Sequence, residues 1–84
     1  MVDKCYAVYD KKLFEYGKIV CARNDEHIRR IAVDTLVGSG SEYEKHPDDF
    51  DVYCVGSFNS ESGELSVEPP HFVCNLGELL GKEK

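Results

Sequence analysis

Apolar and polar residues alternate from the start of the chain. Over residues 4–9, Cys5, Ala7 and Tyr9 fall on one face and Tyr6 and Val8 on the other, which predicts a strand. Asp10-Lys11-Lys12 is polar and predicts a turn. Phe14 to Tyr16 leads to Gly17, and residues 18–22 predict a second strand after an irregular hairpin loop. The period changes after Asn24. Ile28, Ile31, Ala32 and Leu36 follow at helical spacing, with Asn24 as the cap and Asp25 and Glu26 at the positive end of the helix dipole. Glu26 and Asp34 lie four residues to either side of Arg30, an intrahelical pairing for that arginine. Gly38-Ser39-Gly40 should stop the helix.

Residues 41–49 read as a polar loop pinned by His46-Pro47. Residues 50–58 then alternate most clearly of all. Phe50, Val52, Cys54, Gly56 and Phe58 share one face, and Asp51, Tyr53, Val55 and Ser57 the other. A five-residue turn follows at 59–63, with Gly63 the residue expected to need positive φ. Residues 64–68 continue the hairpin until Pro69-Pro70 ends it, since proline donates nothing to a ladder. Residues 72–74 predict a short last strand. Asn75 caps a terminal turn with Leu76, Leu79 and Leu80, and the tail at 81–84 should fray.

The order is β-β-α-β-β with a short C-terminal β/α element. That predicts an α+β fold, a mostly antiparallel sheet of four to five strands with one main helix on one face. One helix leaves the other face open, and simple alternation would place Tyr6, Val8, Tyr53 and Val55 there. That is more apolar surface than a monomer usually exposes.

At 84 residues the chain makes one small domain, 1–84, and at 42% hydrophobic it is rich enough in apolar residues to have a core. No apolar run approaches the roughly 18 residues of a spanning helix, and no signal-peptide core follows the first methionine, so no membrane is expected. The net charge is −6, which on its face counts against nucleic acid. The total is uneven, however. Residues 1–30 carry +2 and residues 31–84 carry −8.

Cys5, Cys21, Cys54 and Cys74 contain no CxxC pair, and His27, His46 and His71 are distant from them in sequence. The cysteines are expected as reduced core residues, with no metal and no cofactor. Catalytic motifs are lacking, and Asp48, Asp49 and Asp51 do not have calcium-loop spacing, so no enzyme is expected. Binding suits the chain better. Aromatic rings can stack on bases while Lys and Arg track phosphates, and the first thirty residues interleave these types. The candidate nucleic-acid residues are Lys4, Tyr6, Lys11, Lys12, Tyr16, Lys18, Arg23 and Arg29.

Tyr6-Ala-Val-Tyr-Asp10-Lys11-Lys12, Ala22-Arg23-Asn24-Asp25 and the run from Lys45 to Tyr53 resemble the small nonstructural protein of gokushoviruses, single-stranded DNA phages of the microvirus family. Val55-Gly-Ser-Phe58, Ser62-Gly63-Glu64 and Pro69-Pro70 continue the resemblance, which covers residues 4–74. It implies a replication-stage protein of the host bacterial cytoplasm, absent from the mature capsid and binding single-stranded DNA without catalysis. His46, Pro47, Asp49, Phe50, Tyr53, Gly56, Phe58 and Gly63 mark its fold. A homodimer is expected, to double the basic segment and cover sheet edges. The acidic second half supports a different expectation, an interaction module acting on a phage or host replication protein without DNA.

Overall fold

The computed structural model describes residues 1–37 and 42–82. The helix stop expected at 38–40 and residues 83–84 lie outside the described residues. So do the side chains of 35–37 and 81–82, and with them Leu36 of the helical stripe; of the tail expected to fray, the backbone of 81–82 continues the last helix.

Four strands form one antiparallel sheet in the order β2-β1-β3-β4, with β1 at Val2–Asp10, β2 at Glu15–Ala22, β3 at Phe50–Asn59 and β4 at Leu65–Asn75. Strands β1 and β3 are central, and β2 and β4 are the edges. The β1–β2 turn is built on Asp10. Its Oδ1 accepts the amides of Lys12 and Leu13, and Phe14 closes the turn at φ 58°. The irregularity expected near Gly17 appears as a shift of register between Ala7 and Tyr9. At the β3–β4 turn Asn59 Oδ1 accepts the amides of Glu61 and Ser62, and Gly63 takes φ 77° as expected.

Helix α1 (Asp25–Ile31) begins where predicted, and Asn24 Oδ1 accepts the His27 amide at 2.8 Å. A π-helical turn, Ala32–Val37, continues it. The segment expected to be loop holds a short α2 (Glu42–Lys45) and a 3-10 turn (Pro47–Asp49). Proline at the first position of that 3-10 turn presets its φ and gives up an amide that would have no partner there. Helix α3 (Leu76–Lys82) closes the layer, with Asn75 Oδ1 accepting the Glu78 amide. Ile28 and Ala32 from the α1 side and Leu76 and Leu79 from α3 meet Tyr6, Val8, Ala22, Phe50, Val52, Cys54 and Cys74 of the sheet. This is the α+β arrangement expected.

Two expectations need correction. Pro69-Pro70 does not end the strand, and 65–68 and 72–74 belong to one strand, β4. An edge strand tolerates proline where pairing is interrupted. Here Val67 pairs with Gly56 and His71 with Cys54, so Glu68, Pro69 and Pro70 bulge opposite the single residue Val55. Nor does the open face carry Tyr6 and Val8. Those two face the helices, while Cys5, Ala7 and Tyr9 face the open side. The other half of the correction is in β3. Cys5 pairs with Gly56 but Tyr6 with Cys54, so Val55 is an extra residue. Every side chain beyond it changes face, and Gly56 and Phe58 leave the face of Phe50, Val52 and Cys54. Gly56 is required by packing, since a Cβ there would run into the carbonyl oxygen of Ser66.

Candidate functional site: the uncovered sheet face

The open face has two parts. At the end bearing the β1–β2 turn, register places Tyr9 opposite Tyr16 and Tyr53 opposite Phe72. Their rings pack as one cluster. Centroids are 4.7 Å apart for Tyr9–Tyr16, 5.9 Å for Tyr9–Tyr53, 5.6 Å for Tyr16–Tyr53 and 5.8 Å for Tyr53–Phe72. The last three meet edge to face, the arrangement that the ring quadrupole favours. Burial, and then the Asp51 carboxylate, push the Tyr53 hydroxyl above its ordinary pKa. Tyr16 and Phe72 keep about half their surface in water.

At the other end lies an apolar groove of about 440 Å³. Cys5 and Gly56 form its floor, and Ile19, Val55, Phe58, Leu65 and Val67 its sides. The lining includes no charged side chain. Cys5 and Cys21 are cross-strand partners with Sγ atoms 3.6 Å apart. Burial and the hydrogen bond with Cys21 push the Cys5 thiol up to about 11.

The residues proposed from sequence for nucleic acid do not gather on this face. Tyr16 belongs to the aromatic cluster, and Lys11 reaches its border. There the Lys11 ammonium lies 3.7 Å from Asp51 Oδ1, which also accepts from Asn75 Nδ2 at 2.7 Å. Lys18 is exposed on edge strand β2, two residues from Tyr16. Lys12 lines a hollow with Asp10, Glu42, His46 and Asp49, so its charge sits among carboxylates. Lys4 pairs with Ala22 and Ser57, out of step with the open-face residues. Arg29 Nη2 reaches the Val73 carbonyl oxygen from α1 at 3.5 Å, and Arg23 lies at the start of that helix, where its amide donates to His27 Nδ1. Tyr6 is the clear correction. It is 1% exposed beneath α1, and its hydroxyl donates to Asp25 Oδ1 at 2.7 Å, leaving no ring face for a base.

Tyr9, Tyr53 and Phe72 complete the cluster that sequence reasoning represented by Tyr16 alone. Alternation within 50–58 already put Tyr53 opposite the core, but Phe72 was hidden by the apparent strand end at Pro69-Pro70. The β3–β4 bulge has a second consequence, on the helix side. Cys54 Sγ, Glu68 and His71, which are far apart in sequence, offer donor atoms that all lie within 4.8 Å of one another.

A family model described as Phage ORF5 protein matches residues 3–79. Neither a curated protein nor a solved structure matches the chain.

Proposed function

The chain belongs to the Phage ORF5 protein family, and on that premise we propose that it is a non-catalytic phage accessory protein that acts by protein contact through its uncovered sheet face. The observation that carries this reading is the apolar groove between Ile19, Phe58, Leu65 and Val67, which no element among the described residues covers. The first occupant proposed is a second copy. A lining without charge lets two chains of net charge −6 meet there without burying a carboxylate from the groove. A twofold contact of this kind is self-complementary and leaves no open end. Sedimentation equilibrium tests it. A dimer is expected for the native chain and a monomer for Val67→Lys, at unchanged far-UV dichroism. A native chain that stays monomeric at millimolar concentration overturns the reading.

The finer placement among gokushoviruses, at the replication or packaging stage in the host cytoplasm, rests on the motif resemblance over residues 4–74. It brings a second reading, single-stranded DNA, which one observation favours: the half-exposed rings of Tyr16 and Phe72, with Lys11 and Lys18 nearby. A stacked base contributes about 1–3 kcal/mol. Fluorescence anisotropy should then show binding that weakens with salt and is lost in Tyr16→Ala and Phe72→Ala. Absence of binding at low salt removes this second reading and leaves the first intact.

A further inference from the structure

We propose that Cys54, Glu68 and His71 form a binding site for a zinc-class divalent cation on the helix side of the β3–β4 ladder. The three donors come from different chemistries. Cys54 Sγ lies 3.6 Å from Glu68 Oε1, and that oxygen lies 3.8 Å from His71 Nδ1. In a tetrahedral zinc site with bonds of about 2.0–2.3 Å, neighbouring donors are separated by roughly 3.3–3.8 Å. Those two spacings match such edges, and the third, between Cys54 and His71, is within 4.8 Å, so a cation can draw the donors together by side-chain adjustment. A thiolate, an imidazole and one carboxylate also form a set suited to zinc rather than to magnesium or calcium, which take oxygen ligands.

The backbone explains why these residues meet. Glu68-Pro69-Pro70 bulges opposite Val55, which brings Glu68 and His71 back to the level of Cys54. The two prolines hold φ near its helical-to-extended value and stiffen the bulge. At the protein end of the site the sulfur is almost fully buried, and its neighbours there, the Gly56 carbonyl oxygen at 3.7 Å and Glu68, are weak partners for a thiol. At the solvent end the Glu68 and His71 side chains are about half exposed, which leaves a path for the ion and a fourth position for water or a partner's ligand. Binding would transfer the Cys54 thiol proton to solvent as the sulfur–metal bond forms. His71 would bind through the Nδ1 lone pair and keep its proton on Nε2.

The experiment titrates the reduced full-length chain with Co²⁺ and then Zn²⁺. One equivalent of Co²⁺ should give thiolate-to-cobalt charge-transfer absorption and tetrahedral visible bands, both erased by Zn²⁺. Cys54→Ser should abolish them. His71→Ala and Glu68→Gln, at exposed positions that leave the fold intact, should weaken Zn²⁺ binding by at least the about tenfold that losing even an outer-shell partner costs. The Cys5→Ser/Cys21→Ser double variant should keep the spectrum. Lack of a cobalt spectrum in the native chain, or a spectrum that survives His71→Ala undiminished or disappears with Cys5 and Cys21, overturns the proposal.

Discussion

Tyr6, Ile28, Val52, Cys54 and Leu76 on the helix side of the sheet have almost no contact with water, whereas Ile19, Leu65, Val67 and Phe72 on the opposite side are more than half exposed. Both sets are apolar, and both lie against the same four strands. What separates them is that α1 and α3 fold over one face and nothing in the described chain folds over the other. Apolar side chains on the covered face contribute to holding the monomer together. Those on the uncovered face contribute little until another surface meets them. The uncovered face is thus free of the packing that holds the monomer together, which is why the protein contact is proposed there.

The sharpest way to break that contrast is to shorten one residue on each side. Ile28→Ala should cost about 2–5 kcal/mol, the usual range for emptying a closed core site. Val67→Ala should change monomer stability by less than about 0.5 kcal/mol, as for an exposed position without a special role. Urea unfolding of dilute protein measures both. Equal losses would mean that the open face is already packed in the monomer.

Asn75 ranks next. Its amide nitrogen donates to the carbonyl oxygens of Asp48 and Phe50 and to Asp51 Oδ1, and its own oxygen receives the Glu78 amide. One side chain therefore fixes the 3-10 turn, the start of β3 and the first turn of α3. Asn75→Ala should cost about 2–3 kcal/mol, because it leaves buried groups unpaired. A loss below about 1 kcal/mol would show that water replaces those bonds.

The sheet, the helix and both tight turns were legible in the sequence because their signals are local. Alternation, the Asn24 cap and the glycine at 63 each depend on a few neighbouring residues. In β1 the faces were misassigned because Tyr6 and Val8 alternate with Cys5, Ala7 and Tyr9 without showing which set the helices cover. Gly56 and Phe58 were misassigned because one extra residue at Val55 reverses every side chain beyond it, and no local pattern marks a bulge. The continuity of β4 was hidden for a related reason. Proline forbids a ladder bond only where the ladder needs one, and that depends on the register with β3. The site was less legible than the fold. Tyr16 could be picked out by type, but its partners Tyr53 and Phe72 sit on strands paired only after folding, and the Cys54-Glu68-His71 cluster exists only across that pairing.

Two tyrosines give a smaller, matched test. Tyr6→Phe removes a hydroxyl bonded to Asp25 at 2.7 Å in the covered layer. The loss should be about 1.5 kcal/mol, the low end for a bond to a charged group. Tyr16→Phe removes a hydroxyl from the open cluster and should be neutral to stability within about 0.5 kcal/mol. Thermal melts of both variants check the pair. If Tyr16→Phe were the more damaging, the open face would depend on a polar anchor not visible among its ring contacts.

The smallest effect sharpens the comparison from the alkaline side. Burial raises the thiols of Cys5, under the open groove, and Cys74, under the helices, from 9.0 to about 11 each. Between those values the unfolded chain has lost protons that the folded chain still holds. The unfolded state then binds fewer protons, so stability falls as pH rises. The contribution of each thiol is complete below pH 9 and disappears through about pH 11. At pH 10, halfway through that window, each thiol removes about 1 kcal/mol. Unfolding curves at pH 8, 9 and 10 should steepen in this way, and Cys74→Ala should flatten the slope by one thiol's share. Cys5→Ala decides what kind of surface the groove floor is. An equal flattening means that burial and the Cys21 hydrogen bond together hold the floor thiol neutral as firmly as the core holds Cys74. No flattening would mean that the groove is wet to its base and that its apolar walls are farther from a ready-made contact than their composition suggests.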